Sequence, residues 1–282
     1  MAKSIIICGS GNSVPFNEEQ FKETGVGLPQ ELRTVLSNNY TIGLNSWYKF
    51  GLDATLICFC DGKFYLGHYD NLIPLPLIIG KNQPALVDKV LPNTILLPLS
   101  EYYWGMESWE AQYKKCRHCG YKTLREDKRK TCPKCRSYLF YVGFYSGHLV
   151  GLFAITLAIA LGFTDIYLLG YDACEINGKT HFYQNFVEVN KTNYGIGKEK
   201  VKGILVYRTG TYNDVGIINK RWFAPYQNLE GINIYNVSPE SVITVFPKLD
   251  YTTFYEKIGQ GSVKQDEARK EIKDFIMEKI HG

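Results

Sequence analysis

FYSGHLVGLFAITLAIALGFTDIYLLGYDACEINGKTHFY, residues 144–183, is the stretch from which the fold can be read. Gly147 precedes a mostly apolar run at 149–161, Gly162 closes it, and 166–169 forms a short apolar strand that runs out into Gly170, Tyr171 and Asp172. Helix, turn, strand and polar strand end in that order make one layer of an open α/β sheet. In such sheets the ligand crevice lies beyond the carboxyl ends of the strands. Asp172, Asn177, Lys179, His181 and Tyr183 are therefore expected to line it. Ser146 and Gly147 stand at the helix start, where unpaired N–H groups and the helix dipole favour a phosphate.

The pattern recurs toward the N-terminus. Ser4–Cys8 reads as a buried first strand, followed by Gly9-Ser10-Gly11-Asn12-Ser13, a turn that can approach a phosphate closely. Val14 stands where a third glycine would complete the dinucleotide fingerprint. Further strands are expected at 40–44, ending in Asn45, and at 54–60, ending in Asp61-Gly62. Others are expected at 75–79, 94–97 and 232–237, the last before a Ser238-Pro239-Glu240 turn. Asn and Asp at such places often serve only as caps and turn formers. Gly9, Asn45, Asp61 and Asp172 at four strand ends point instead to a shared ligand edge. The fold class expected is α/β: a Rossmann-like, mostly parallel sheet with helices on both faces. Residues 184–225, polar and glycine-rich, read as a lid over the crevice, and 263–280 as an amphipathic helix with Ile272, Phe275, Ile276 and Ile280 on its apolar side.

Cys116-x2-Cys119 and Cys132-x2-Cys135 supply two thiolate knuckles at the spacing of a structural zinc ribbon. Four thiolates close a tetrahedron and leave no open position, so the metal is expected to be structural Zn2+. An insertion of this size cannot build its own apolar core and should draw much of its folding free energy from the metal. The domain division that follows is 113–136 for the ribbon, with 1–112 and 137–282 forming the nucleotide-binding body. Residues 113–136 carry ten Lys/Arg against Glu126 and Asp127, +8 in a chain of net charge +4. A basic surface on an otherwise slightly acidic body implies an anionic acceptor or nucleic acid, or a solvated face that offsets the thiolates. Tyr102, Tyr103, Trp104 and Trp109, just before the ribbon, can stack a sugar or base or pack the insertion onto the body, the second being the first expectation.

With 282 residues, 45% of them hydrophobic, the chain can bury a full core. The run 149–161 falls short of the roughly 20 residues that span a bilayer, and MAKSIIICGSG lacks a signal-peptide layout. Eight cysteines, four in CxxC pairs and four in or beside apolar strands, suit a reducing, cytoplasmic setting. No Ser-His-Asp order, P-loop lysine motif or zinc-protease signature occurs, which argues against those hydrolase and NTPase classes.

The 9–13 turn, the Asn45 strand end, SGHLVGLFAITLAIALGFTDIYLLGYD with the following NGKTHFY, and INIYNVSP at 232–239 together resemble one superfamily. It is the Rossmann-like group that contains archaeal-type (MptE-like) 6-hydroxymethyl-dihydropterin pyrophosphokinases and family 42 sialyltransferases. The resemblance covers roughly 3–65 and 144–183, and the ribbon is not part of it. It implies a nucleotide or nucleotide-sugar donor held by Gly9, Gly11, Asn12, Ser13, Asn45, Ser146, Gly147 and Asp172, with Ser10 in the same turn. Cys174 and His181 stand where the sialyltransferases carry tyrosines, and YGIGKEK at 194–200 lacks their loop histidine.

The expected chemistry is displacement at a nucleotide-activated donor, with glycosyl transfer the first reading. Asp172 and His181 are the catalytic candidates, His181 deprotonating the acceptor, because an imidazole with a reference pKa near 6.5 is mostly neutral at pH 7. His68 and His148 are weaker candidates for that role. One alternative is a diphosphokinase in which Asp61 and Asp172 hold Mg2+. Another is a non-catalytic nucleic-acid-binding or scaffold protein acting through the ribbon.

Overall fold

The computed structural model describes residues 4–82, 86, 88–110, 112–147, 149–174, 176–177, 179, 182 and 218–281. The chain begins β1 (Ser4–Cys8), α1 (Glu18–Thr24), α2 (Gln30–Ser37), β2 (Thr41–Leu44), β3 (Leu56–Phe59), α3 (Gly62–Gly67), α4 (Tyr69–Leu72), β4 (Ile78–Lys81) and β5 (Thr94–Leu97). It continues through β6 (Leu99–Ser100), β7 (Tyr113–Cys116), β8 (Lys122–Leu124), β9 (Leu139–Tyr141), β10 (Phe144–Tyr145) and α5 (Val150–Ala160). Last come β11 (Asp165–Leu169), β12 (Asn233–Val237), α6 (Tyr251–Ile258) and α7 (Gln265–His281).

Seven strands form one sheet in the order β12-β11-β1-β2-β3-β4-β5, and every neighbouring pair in it is parallel. This is the Rossmann-like α/β arrangement. The chain steps outward from β1 to β5, then returns across the sheet to lay β11 against the free side of β1, with Cys8 beside Leu169. That reversal is the topological switch point.

Both faces of the sheet are covered. Along β3 to β5, Cys58, Ile79 and Leu97 join the main core while Phe59 and Ile78 join a second cluster with Tyr65 of α3 and Leu72 of α4. Side chains alternate across a strand, so the two clusters lie on opposite faces. Helix α5 is apolar all round, and Leu152, Phe153, Ile155 and Leu157 are fully buried. Each such side chain contributes about 1.5–3 kcal/mol by leaving water. A helix without a polar stripe needs cover on its outer side. Phe144 packs edge-on to Phe153 at 6.0 Å, and the Tyr226 hydroxyl bonds Leu152 O at 2.7 Å, so β10 and the turn at 224–226 supply that cover. Helix α7 matches the amphipathic reading of 263–280, burying Ala268, Ile272 and Ile276, while Ile280 is exposed. Most of the expected lid, 184–217, lies outside the described residues. Its last part is not lid-like: Trp222 and Phe223 belong to a helical turn and are buried in the core.

The ribbon is a three-stranded antiparallel sheet, β8-β7-β9. Its third strand, Leu139–Tyr141, lies beyond the boundary at 136 expected from the cysteines, because β7 needs a second partner and finds it where the chain returns to the body.

Candidate functional site

Two strand-end loops meet at the switch point. Gly9 N–H donates to Leu169 O at 2.7 Å and Gly11 N–H to Gly170 O at 2.8 Å, so the 9–13 turn lies flat against the loop after β11. Only glycines allow that approach. A Cβ on Gly11 would strike the Asp172 carboxylate and sit 2.6 Å from Gly170 O, and Gly170 itself has φ +64. The Asp172 carboxylate accepts from Ser13 N–H at 2.8 Å and from the Ser13 hydroxyl. Ser13 Oγ lies 2.7 Å from Ser238 Oγ, at the end of β12. Asp172 is 1% exposed and bonded to Ser13, so it acts as a clamp between the two loops.

The elements around this clamp hold it from behind. Trp47 Nε1 donates to Gly9 O at 2.7 Å from the turn after β2. Tyr171 reaches the first turn of α5, its hydroxyl donating to Gly151 O at 3.1 Å. Ser146 and Gly147 do not open that helix as the sequence suggested: α5 begins at Val150 with Leu149 as its N-cap, and Ser146 N–H donates to Ser100 O at 3.0 Å, because the chain continues β10 alongside β6 before it turns into the helix. Ser146 is buried and Gly147 has φ +46. The Tyr171 and Asp172 carbonyls accept from the Ser241 hydroxyl at 2.7 and 3.1 Å.

The segment after Asp172 folds over the turn. Asn12 Nδ2 donates to Ile176 O at 3.0 Å, Phe182 N–H to Ser10 O at 3.1 Å, and Lys179 pairs with Glu18 of α1. The Phe182 ring packs at 5.0–5.3 Å among Phe16, Trp47 and Phe50. Lys179 is thus held by a carboxylate. His181, its neighbour Thr180, Tyr183 and His148 lie outside the described residues.

Of the five non-glycine residues with positive φ among those described, Asn45, Ala173 and Asn177 follow the carboxyl ends of β2 or β11, while Arg136 lies in the ribbon and Asn228 in the turn before β12. Strain of this kind, of order 1–3 kcal/mol each, persists where surrounding structure enforces it and clusters at ligand sites. Two buried polar atoms lie nearby without a hydrogen-bond partner among the described residues: Asn236 Oδ1, on the side chain that donates to Tyr171 O, and the Tyr251 hydroxyl. Burial first, then Cys8, Tyr255 and Asp172, push the Tyr251 pKa well up, so it stays a neutral donor.

Asp61 stands apart. It is exposed and caps α3, accepting from Lys63 N–H at 2.9 Å. Two strands, β2 and β1, separate its strand from that of Asp172, about 14 Å across the sheet at the usual strand spacing. The sheet therefore does not bring this pair to one Mg2+ ion. At the other end of α3, His68, one of the weaker base candidates, has a partner that the sequence did not single out: the Tyr48 hydroxyl lies 2.8 Å from its Nδ1. Burial, with Lys49 adding to it, lowers the His68 pKa and keeps the imidazole neutral. Ser238 was also missed as a site residue, although it follows its strand as Gly9 and Asn45 follow theirs.

The cysteines form the second site. All four Sγ atoms of Cys116, Cys119, Cys132 and Cys135 lie within 4.8 Å of one another, with Cys116 to Cys135 and Cys119 to Cys132 at 3.4 Å. Sulfurs around one Zn2+ at about 2.3 Å sit about 3.8 Å apart, whereas a disulfide holds them at about 2.05 Å. The thiols are free and suit a metal ion such as zinc. The two knuckles are built alike. Gly120 and Arg136 both have positive φ and donate their N–H at 2.9 Å to Cys116 O and Cys132 O. The aromatic residues before the ribbon divide their work: Tyr102 packs on Phe140 at 4.2 Å and Trp104 faces Lys115, whereas Tyr103 and Trp109 pack on Tyr226 and Phe144 of the body.

No family model matches the chain, and no curated protein does. Among solved structures, a mutant Sir2 homologue in complex with ADP ribose is similar at 10% identity and a TM-score of 0.17, over 98% of this chain and 94% of that one. A Sir2 homologue–NAD complex stands at 12% identity and a TM-score of 0.17, over 97% and 91%. Likeness at this level bears on neither fold nor function. Among the described residues, no helix is long and apolar enough to cross a membrane.

Proposed function

We propose that this chain is a nucleotide-dependent transferase that moves a glycosyl group from a nucleotide-activated sugar. The observation that carries the reading is the convergence of the 9–13 turn, the Asp172 loop and Ser238 at the switch point, the place where open α/β sheets hold nucleotide phosphates. Two of the turn's N–H groups, those of Ser10 and Asn12, have no partner among the described residues, whereas those of Gly9, Gly11 and Ser13 are engaged. Phosphate oxygens would meet the Ser10 and Asn12 N–H groups, with Ser146 and Gly147 in the turn that leads into α5. Asn45 borders the same edge. The unpartnered Asn236 Oδ1 and Tyr251 hydroxyl beneath it support a polar ligand or its waters.

In the transfer step the acceptor hydroxyl attacks the anomeric carbon and the bond from that carbon to the donor phosphate oxygen breaks. The electron pair leaves on the nucleotide, and the acceptor's proton passes to the His181 imidazole. His181 precedes Phe182, whose N–H is anchored on the Ser10 carbonyl. Asp172 acts by positioning Ser13. The separation of Asp61 from Asp172 favours this metal-independent transfer over the Mg2+-dependent diphosphokinase. Zn2+ on Cys116, Cys119, Cys132 and Cys135 would have a structural role, since four thiolates leave it no open position.

The test is a thermal-shift panel of nucleoside mono-, di- and triphosphates and nucleotide sugars, with and without Mg2+. A nucleotide sugar should raise Tm without metal, and Ser13→Ala should lose the response. His181→Ala should keep the response while turnover falls by about 10² to 10⁴. A response to triphosphate that needs Mg2+ would transfer the reading to the diphosphokinase. Silence across the panel would overturn nucleotide use.

A further inference from the structure

The ribbon sheet has two faces with different surroundings. Directly paired residues of an antiparallel sheet share a face, so Lys115, Lys122 and Phe140 lie together, and Lys114, Thr123 and Tyr141 lie together on the other side. The first set is docked: Lys115 bonds Glu107 and Lys122 bonds Glu110, both at 2.5 Å, and Phe140 packs on Tyr102. The second set faces away from these contacts. Tyr141 is 48% exposed, with the Arg125 guanidinium 4.6 Å and the Lys114 ammonium 5.0 Å from its ring centroid. At the metal end of the same face, Tyr121 carries Arg129 at 5.9 Å and Lys134 at 5.7 Å. Lys128, Lys130 and Arg136, exposed like Lys134, lie in the same short segment of the ribbon.

A face built only to solvate the thiolates would need charge and no rings. Here each of two tyrosines is flanked by two cations, across strands that put the two backbone positions roughly 12 Å apart on the diagonal. That alternation matches a chain that carries both phosphates and flat bases. In a duplex the bases are already stacked on one another and hidden from such rings; in a single strand they can stack on tyrosine or arginine planes.

We propose that this outward face of the ribbon binds single-stranded nucleic acid, bases on Tyr121 and Tyr141 and phosphates on Arg125, Lys128, Lys130 and Lys134. Lys114, buried and bonded to Asp127 O, and Arg129, paired with the Asp127 carboxylate, brace the rings instead. The proposal does not rest on the transferase reading and can stand or fall without it.

The experiment is fluorescence anisotropy of the metal-loaded full chain with labelled 12-nucleotide single strands of mixed-sequence DNA and RNA. Duplex DNA and inorganic polyphosphate serve as competitors, and salt is varied. Single strands should bind with a steep salt dependence, and Lys128→Gln/Lys130→Gln/Lys134→Gln should reduce the slope by about 2 for three lost phosphate contacts. Tyr141→Ala should weaken binding about tenfold at unchanged slope, and Tyr141→Phe, which keeps the ring, should restore it. Both tyrosine variants should melt as the wild type does, since the ring is at the surface. Equal competition by polyphosphate with no effect of Tyr141→Ala would overturn the proposal in favour of an acidic acceptor. A preference for duplex, or no binding at low salt, would overturn it outright.

Discussion

The ribbon and the crevice are built on opposite principles. Cys116 and Cys135 are 19 residues apart in the chain, whereas Ser13 lies 159 residues from Asp172 and 225 from Ser238. In the ribbon, local spacing prepares a ligand set and a metal ion closes it. In the crevice, three strand ends become neighbours only after the whole sheet has formed, and the site is then locked by close backbone approach. The two sites should therefore fail differently, the ribbon alone and the crevice together with the body.

The largest effect should come from removing the metal. Structural Zn2+ supplies apparent folding free energies of about 10–16 kcal/mol in small zinc modules. Chelation should expose residues 117–134 to trypsin while the body keeps its cooperative unfolding transition. If the ribbon stays equally resistant after chelation, its fold does not depend on the thiolates. The next effect belongs to Gly11→Ala, which forces a methyl group against Gly170 O and the Asp172 carboxylate. A loss of about 1–3 kcal/mol in urea unfolding is expected, as for overpacking elsewhere. Gly67→Ala is the matched control: its Cβ meets no atom within 4 Å at the end of α3, and the change should be neutral or stabilising by up to about 1 kcal/mol. Equal destabilisation by both would mean that the two-loop contact is not what Gly11 provides.

The same contrast explains what could be read in advance. All seven strands of the main sheet announce themselves as short apolar runs ended by turn residues, and the structure moves their limits by only a few residues, as in Ile78–Lys81 for the run at 75–79. The CxxC spacing revealed the metal ligands because ligation is set within a few residues of chain. Strand β9 was hidden, since Leu139, Phe140 and Tyr141 show no polar alternation and their pairing with β7 depends on the docked face of the ribbon. Ser238 and the inward turn of Asp172 were hidden for a different reason. A strand-end polar residue can face a ligand or a neighbouring loop, and only the packing of Gly9, Gly11 and Gly170 decides which.

The smallest effect probes the C-terminal end of α3, where Tyr48 and His68 meet at 2.8 Å. Burial and Lys49 hold the His68 pKa below its ordinary value, so the folded chain keeps this imidazole neutral at a pH where the unfolded chain takes up a proton. The stability it contributes is complete above the unfolded value near 6.5 and is lost as the pH falls from there through the lower folded value. The wild type should therefore lose more urea stability between pH 7.5 and 5.5 than His68→Gln does. Solvent around a half-buried ring keeps the difference small. Parallel slopes in the two proteins would show that the pair leaves stability unlinked to this proton and would remove His68 as a tuned imidazole.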